Sequence, residues 1–166
     1  MKYAGIIKDD IANGKGVGLV LFTQGCPHHC RGCQNPETWA FNGGLDFTQD
    51  VLDNIIEYFK NNVYATRLTL SGGDPFFSPE VSLPVAASIK DIRPDIKVWA
   101  YTGCLFEDIK EHKLLKYVDI LVDGPFILEQ RDITLPFRGS SNQRIIDVQA
   151  SLKNNEIILW DCQQNT

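Results

Sequence analysis

Three cysteines, Cys26, Cys30 and Cys33, stand within eight residues in the spacing C-x3-C-x2-C. Their thiolates converge on one point only if this stretch is a loop that curls around it, and Gly25, Pro27 and Gly32 supply the turn chemistry for such a loop. Thiolates are the usual ligands of iron–sulfur clusters, and a cubane cluster has four irons to ligate. Three protein thiolates would leave one iron open to a substrate, which makes the site reactive rather than purely an electron carrier. Two other chemistries fit the same residues. The three cysteines with His28 or His29 would make a closed, tetrahedral zinc site. Cys30-Arg31-Gly32-Cys33 alone has the spacing of a thioredoxin-like redox pair, which leaves Cys26 unexplained.

The elements that must position this loop are read from the rest of the chain. Its 166 residues suffice for a single domain, residues 1–166, with a real core. The formal net charge of −5 and the lack of a basic stripe favour neither nucleic acid nor an acidic membrane as partner. No long apolar run follows Met1 as in a signal peptide, and the densest apolar segment, residues 17–22, is too short to span a bilayer. Five cysteines, three of them clustered, argue for a reducing cytoplasm rather than a secreted disulfide framework.

Residues 3–8 and the apolar run 16–22 predict strands, the second buried and leading straight into the cysteine loop. Asn35-Pro36-Glu37-Thr38-Trp39 continues that loop as a capped turn with one packed tryptophan. Thr48 is the expected N-cap of a helix in which Val51, Leu52, Ile55, Ile56 and Phe59 recur with helical spacing. Residues 67–70 predict a strand, followed by a helix within residues 78–92 whose Pro84 is expected in the first turn, where proline is tolerated. Residues 96–101 predict a strand, 105–112 a third helix and 118–122 another strand. Residues 129–143 are polar and irregular, 145–152 predict a helix, and 156–160 a last strand.

Strands alternating with helices predict an α/β fold with a mainly parallel sheet and flanking helices. In such sheets the loops leaving the C-terminal ends of the strands open on one face. Here those loops are the cysteine loop, Ser71-Gly72-Gly73-Asp74-Pro75, Tyr101-Thr102-Gly103 and Asp123-Gly124-Pro125-Phe126. Glycine ends strands in any case, and Gly-Gly and Asp-Pro are common turn signals. A three-thiolate loop among them nevertheless points to one shared site.

The cysteine loop after one strand and Gly72-Gly73-Asp74-Pro75 after the next resemble the radical S-adenosylmethionine enzymes. A wider set of segments is similar to the activating proteins of the anaerobic ribonucleoside-triphosphate reductase. These are residues 26–39, from Cys26-Pro27-His28 through Trp39, Tyr101-Thr102-Gly103, residues 122–126 and residues 138–144. The resemblance covers nearly the whole chain and implies a partial, open β/α barrel. It implies a [4Fe-4S] cluster on Cys26, Cys30 and Cys33, with S-adenosylmethionine on the open iron. Gly32, Cys33 and Gln34 would line that cofactor, as would Gly72, and Gly73 and Asp74 would receive its methionine amino group. A side chain at Gly73 is then expected to block the cofactor and spare the cluster.

The implied activity is reductive cleavage of S-adenosylmethionine to a 5′-deoxyadenosyl radical, which takes a hydrogen atom from a glycine of the large reductase subunit. A low-potential donor such as flavodoxin would supply the electron. Activation of another glycyl-radical enzyme, such as a formate-lyase, and a non-enzymatic zinc module are the alternatives. In one respect the chain departs from the superfamily: Gly32 stands where many members have an aromatic residue against the adenine. Cys104 is expected to be a small buried hydrophobe and Cys162 to have no catalytic role. His28 and His29 are expected as plain loop residues. Arg131, Arg138 and Arg144 are expected at the surface, where the segment 129–144 could form a rim that meets the partner.

Overall fold

The computed structural model describes residues 1–162. Its centre is one mixed sheet of seven strands in the order β3-β1-β2-β4-β5-β6-β7. The strands are β1 (Lys2–Asp10), β2 (Gly18–Thr23), β3 (Leu45–Asp46), β4 (Arg67–Gly72), β5 (Lys97–Tyr101), β6 (Ile120–Asp123) and β7 (Arg144–Asp147). β2, β4, β5 and β6 are parallel neighbours, whereas β1 and β7 run antiparallel at either side. The sheet is open, with the short β3 at one edge and β7 at the other.

Each parallel strand is laid beside its predecessor in one direction, and crossovers of one hand then put the helices on a single face. The side chains record this with a period of two. Leu19, Leu21, Leu68, Leu70, Val98, Ala100, Leu121 and Ile146 belong to the main core, with Ile55, Phe59, Val81, Val85 and Ile89 from the helices. Those helices are α1 (Gln49–Asn61), α2 (Pro79–Ile92), the single turn α3 (Phe106–Ile109) and α4 (Val148–Asn154). Intervening strand residues Trp99, Ile120 and Val122 form a separate cluster with Tyr101, Phe137, Ile145 and Trp160. The second face is therefore covered by irregular chain, and the functional cavity lies there.

Several local expectations are corrected. Residues 145–152 divide between a strand and a helix. Ile145 and Ile146 pair with Val122 and Leu121, and the Asp147 carboxylate then accepts the Ala150 N–H as the cap of α4. β-branched neighbours suit a sheet edge, and an aspartate directly after them starts the helix. Residues 156–160 make no strand. They contribute one bridge, Ile146 to Leu159, beside hydrogen bonds of 2.9 Å from Asp147 N to Ile158 O and from Trp160 N to Ile145 O.

The third helix is shorter than expected, being α3 plus a separate 3₁₀ turn, Lys113–Lys116. Pro84 sits inside α2, beyond its first turn, because Pro79 already occupies the helix start. The carbonyl that loses its partner belongs to Glu80, which is exposed and open to water. Thr48 takes the N-cap position of α1 without a side-chain cap bond. No helix among the described residues is long and apolar enough to cross a membrane.

Candidate metal and cofactor site

The cysteine loop leaves the C-terminal end of β2 and is closed at its base by main-chain bonds. Gly25 N donates to Thr38 O at 2.8 Å and Cys26 N to Trp39 O at 3.1 Å. Within the loop Cys33 N donates to Cys30 O at 3.0 Å. Gly32 has φ +75°, a left-handed conformation that its lack of a side chain permits. The expected packed tryptophan is present, since Trp39 stacks on the His29 ring at 4.7 Å with the planes 7° apart.

All three thiols are free, half-buried and lining one cavity of about 550 Å³. Its size falls in the range of small-molecule sites. Gln34, Gly72, Gly73 and Asp74 line it too, with Thr102, Gly103, Gly124 and Phe126, so the four strand-end loops do share one wall. Gly32 is not part of that lining; a Cβ there would lie 2.9 Å from the Leu128 side chain. The opposite wall comes from Ala12 and Asn13, and from Arg131, Ile133, Phe137 and Arg138 of the irregular segment after β6. Of these, residue type had singled out only the two arginines, and as surface groups. A larger groove of about 800 Å³ lies on the helix face among Leu83, Lys110, Lys113 and Lys116, and contains none of the cysteines.

The thiols suit an iron–sulfur cluster by their surroundings. Burial pushes the Cys26 thiol up to about 11, against the pull of backbone N–H groups of His28 and His29 directed at its sulfur. Asn35 N likewise donates to Cys33 Sγ at 3.4 Å. Donors aimed at sulfur favour thiolate, and loading a metal displaces the proton that burial would otherwise retain. The only three-residue ligand group among the described residues with all donor atoms within 4.8 Å is His28, Asp74 and Cys104. The cysteine triad makes no such tight group.

Asp74 is 1% exposed, and both its oxygens are engaged. Oδ1 accepts Phe76 N at 3.0 Å; Oδ2 accepts Thr102 Oγ1 at 2.7 Å and Gly103 N at 3.0 Å, with His28 Nε2 2.8 Å away. The carboxylate is thus a joint between loops. His28 is no plain loop residue, and nothing in its type or neighbours announced that partner.

Gly73 is packed against the cysteine loop itself. Its N–H donates to Thr23 O at 2.8 Å, and an added Cβ would lie 2.5 Å from Gly25 O. Gly73→Val is therefore expected to lower bound iron as well as cofactor affinity, instead of sparing the cluster. Iron per chain after anaerobic reconstitution checks this; full iron content would restore the simpler expectation.

The arginines divide. Arg144 is bound by Asp123 and, at 2.7 Å, by Glu107, and these carboxylates raise its pKa. The Nη1 of Arg138 donates to Gln143 O at 2.8 Å, holding its own loop. Arg131 is exposed at the cavity wall. Arg31 pairs with Glu129 and ties the cysteine loop to the segment across from it.

Comparison with known proteins supports an iron–sulfur centre in this chain. Residues 12–146 match the family model described as a 4Fe-4S single cluster domain. The chain is 40% identical over 150 residues to an anaerobic ribonucleoside-triphosphate reductase-activating protein of Vibrio cholerae, covering 87% of this chain and 97% of the relative. The protein so named from Haemophilus influenzae is 38% identical over 150 residues, with the same coverage. The one from enterobacteria phage T4 is 37% identical over 151 residues, covering 87% and 93%. With its free cysteine triad lining a cavity at the strand ends, the chain belongs to the family of anaerobic ribonucleoside-triphosphate reductase-activating proteins.

Proposed function

We propose that this chain activates an anaerobic ribonucleoside-triphosphate reductase, using a [4Fe-4S] cluster on Cys26, Cys30 and Cys33 and S-adenosylmethionine in the adjoining cavity. On this reading the open sheet is the partial barrel of a radical S-adenosylmethionine enzyme at work in the cytoplasm. When bound, cluster and cofactor supply one-electron cleavage of the sulfonium, giving the 5′-deoxyadenosyl radical that takes hydrogen from a reductase glycine, with the electron drawn from a low-potential donor such as flavodoxin. The observation that carries the reading is the meeting of the cysteine triad with Gly72, Gly73 and Asp74 in one cavity.

The chain's own residues hold and orient. The three thiols fix the cluster at the cavity wall. Gly72 and Gly73 line the cavity at the methionine end, and their lack of side chains lets the turn pack directly on Phe22 and Gly25. Asp74 contributes through position, its oxygens being engaged by neighbouring loops. Gln34 and Cys33 complete the loop side, with Gly32 setting the bend beside them. Phe137, packed on Trp99 at 5.2 Å and tilted against Trp160, keeps apolar chain over the second sheet face and helps exclude water. The segment 129–144 borders the open side, where a docked reductase would supply the missing wall.

The test is an anaerobic mixture of this protein, the reductase, S-adenosylmethionine and a reductant. A glycyl-radical doublet on the reductase is expected in electron paramagnetic resonance. If the reductase gains no radical while a small molecule is consumed in step with the cofactor, the activase reading fails. A colourless protein carrying zinc after anaerobic purification would instead favour a non-enzymatic module. Arg131, exposed at the wall, is a cleaner probe of docking than Arg138, whose guanidinium holds its loop. Arg131→Glu is expected to cut radical yield roughly tenfold, about 1.4 kcal/mol, more than it cuts uncoupled cofactor cleavage. Equal losses in both assays would remove Arg131 from the docking rim.

A further inference from the structure

His28 stands midway between Cys26 and Cys30, at the tip of the cysteine loop, yet its ring is spent on a residue of another loop. We propose that the His28–Asp74 pair is a latch that sets the spacing between the cysteine loop and the Gly72–Gly73 turn, and thereby the affinity for S-adenosylmethionine. His28 is then a positioning residue, and the proposal rests on the functional reading above.

Asp74 Oδ2 lies within hydrogen-bond distance of three groups, and two of them, Thr102 Oγ1 and Gly103 N, are donors. A carboxylate oxygen accepts, so His28 Nε2, at 2.8 Å, carries the third hydrogen. Phe76 N adds a fourth donor on Oδ1, so three donors converge on Oδ2 and one on Oδ1. One buried carboxylate thus joins the loops after β2, β4 and β5. The ring is seated closely: it meets Phe77 edge-on at 5.5 Å, and a Cβ on Gly103 would fall 2.5 Å from its Cδ2. No bulkier residue than glycine fits at position 103 beneath that ring.

The main chain holds the other end of the same loop. Asp74 N donates to Gly25 O at 2.9 Å, and Gly73 N to Thr23 O at 2.8 Å. Backbone therefore fixes the loop base, and beyond it the His28–Asp74 pair is the tie to the Gly72–Gly73 turn, while His29 stacks on Trp39 and Arg31 pairs with Glu129. Removing the imidazole frees the tip while the base stays in place. The three thiols sit on one short loop and move together, so they can still gather a cluster. What relaxes is the spacing between that cluster and the turn across from it. A ligand that must touch both elements is sensitive to shifts of an ångström or less.

The same residues invite a different interpretation, because His28, Asp74 and Cys104 bring their donor atoms within 4.8 Å of one another. Cys104 Sγ lies 3.8 Å from His28 Nε2. A metal there would have to displace the His28–Asp74 bond and compete with the Thr102 and Gly103 donors. Hydrogen bonding already satisfies the pair, which favours the latch.

The experiment uses full-length protein reconstituted anaerobically with iron and sulfide, in wild-type, His28→Ala, His28→Gln and Cys104→Ala forms. Iron per chain, equilibrium binding of labelled S-adenosylmethionine, and the cofactor-induced change in the reduced cluster's resonance are measured. His28→Ala should retain wild-type iron but bind the cofactor at least about tenfold more weakly, with KM raised and kcat little changed. His28→Gln, whose amide supplies an N–H donor at similar reach, should recover most of the affinity. Cys104→Ala should match wild type. Unchanged affinity in His28→Ala would overturn the latch alone, and loss of iron in that variant would assign the ring to cluster assembly instead. Zinc taken up stoichiometrically by cluster-loaded wild type, and not by Cys104→Ala, would replace the latch with a metal site. Iron-loaded wild type that binds no cofactor would overturn the functional reading and the latch together.

Discussion

Cys30→Ala protein is expected to emerge from anaerobic reconstitution without the iron–sulfur absorbance and without measurable cleavage of S-adenosylmethionine. The same result is expected for Cys26→Ala and Cys33→Ala. Each thiol lines the cavity, and two of them receive backbone donors suited to thiolate. Losing one leaves two sulfurs for a centre that needs three, and no other cysteine lines that wall. The fold itself should survive, because these thiols are half-buried in a loop and contribute nothing to the main core. Unfolding of the metal-free variants should stay within about 1 kcal/mol of metal-free wild type. A paired Cys104→Ala/Cys162→Ala protein serves as the control and should keep its iron. Wild-type iron content in Cys30→Ala, or iron loss in the control, would show that the ligand set is wrong.

The second large effect concerns a residue with no direct part in the chemistry. Arg67, at the start of β4, is fully buried. Its Nη1 donates to Asn13 O at 2.7 Å and to Thr69 Oγ1, and its Nη2 donates to Asp10 O and Asp10 Oδ2, both at 2.7 Å. One guanidinium thereby binds the β1–β2 connection, which carries Ala12 and Asn13 of the cavity wall, beneath the second sheet face. Arg67→Met removes the charged partner of the Asp10 carboxylate and one donor each from Asp10 O, Asn13 O and Gly16 O, although Asn13 N still donates to that carboxylate and Thr69 Oγ1 to Asn13 O. Breaking one side of a buried pair costs about 3–5 kcal/mol, against little for replacing both sides. At about 2–4 °C per kcal/mol for a chain of this size, Tm should fall by roughly 6–20 °C.

The partner substitution gives the check. Adding Asp10→Asn to Arg67→Met should return part of the loss, and a fully additive double variant would contradict the account. Burial alone would raise the Asp10 carboxyl, but the Asn13 N–H and the Arg67 guanidinium outweigh it and hold it below its ordinary value. A depressed carboxyl contributes stability that is present at neutral pH and lost as pH falls below about 4. Thermal unfolding from pH 7 to pH 3 should therefore show a smaller acid-induced loss in Arg67→Met than in wild type.

What the sequence by itself determined is local or carried by a motif. The cysteine spacing, the glycine-rich turns after strands and the alternation of strands with helices through residue 101 depend on near neighbours, and these are found where expected. Tertiary structure alone decided which polar side chains meet. Asp74, His28 and Thr102 come from three loops, and Arg67 and Asp10 lie on separate strands. The sequence marked Asp74 and the Thr102 loop as site residues but named none of these partners, because burial and pairing are set by which strands become neighbours. The errors have the same origin. Residues 145–152 carry apolar spacing that suits either a helix or a strand running into one, and pairing of Ile145 and Ile146 with β6 chose the latter. Residues 156–160 read as a strand, but only one bridge forms against β7. Phe137 became part of the cavity wall because Trp99 points away from the helices and needs aromatic cover, a demand placed by the sheet and invisible in the chain's order.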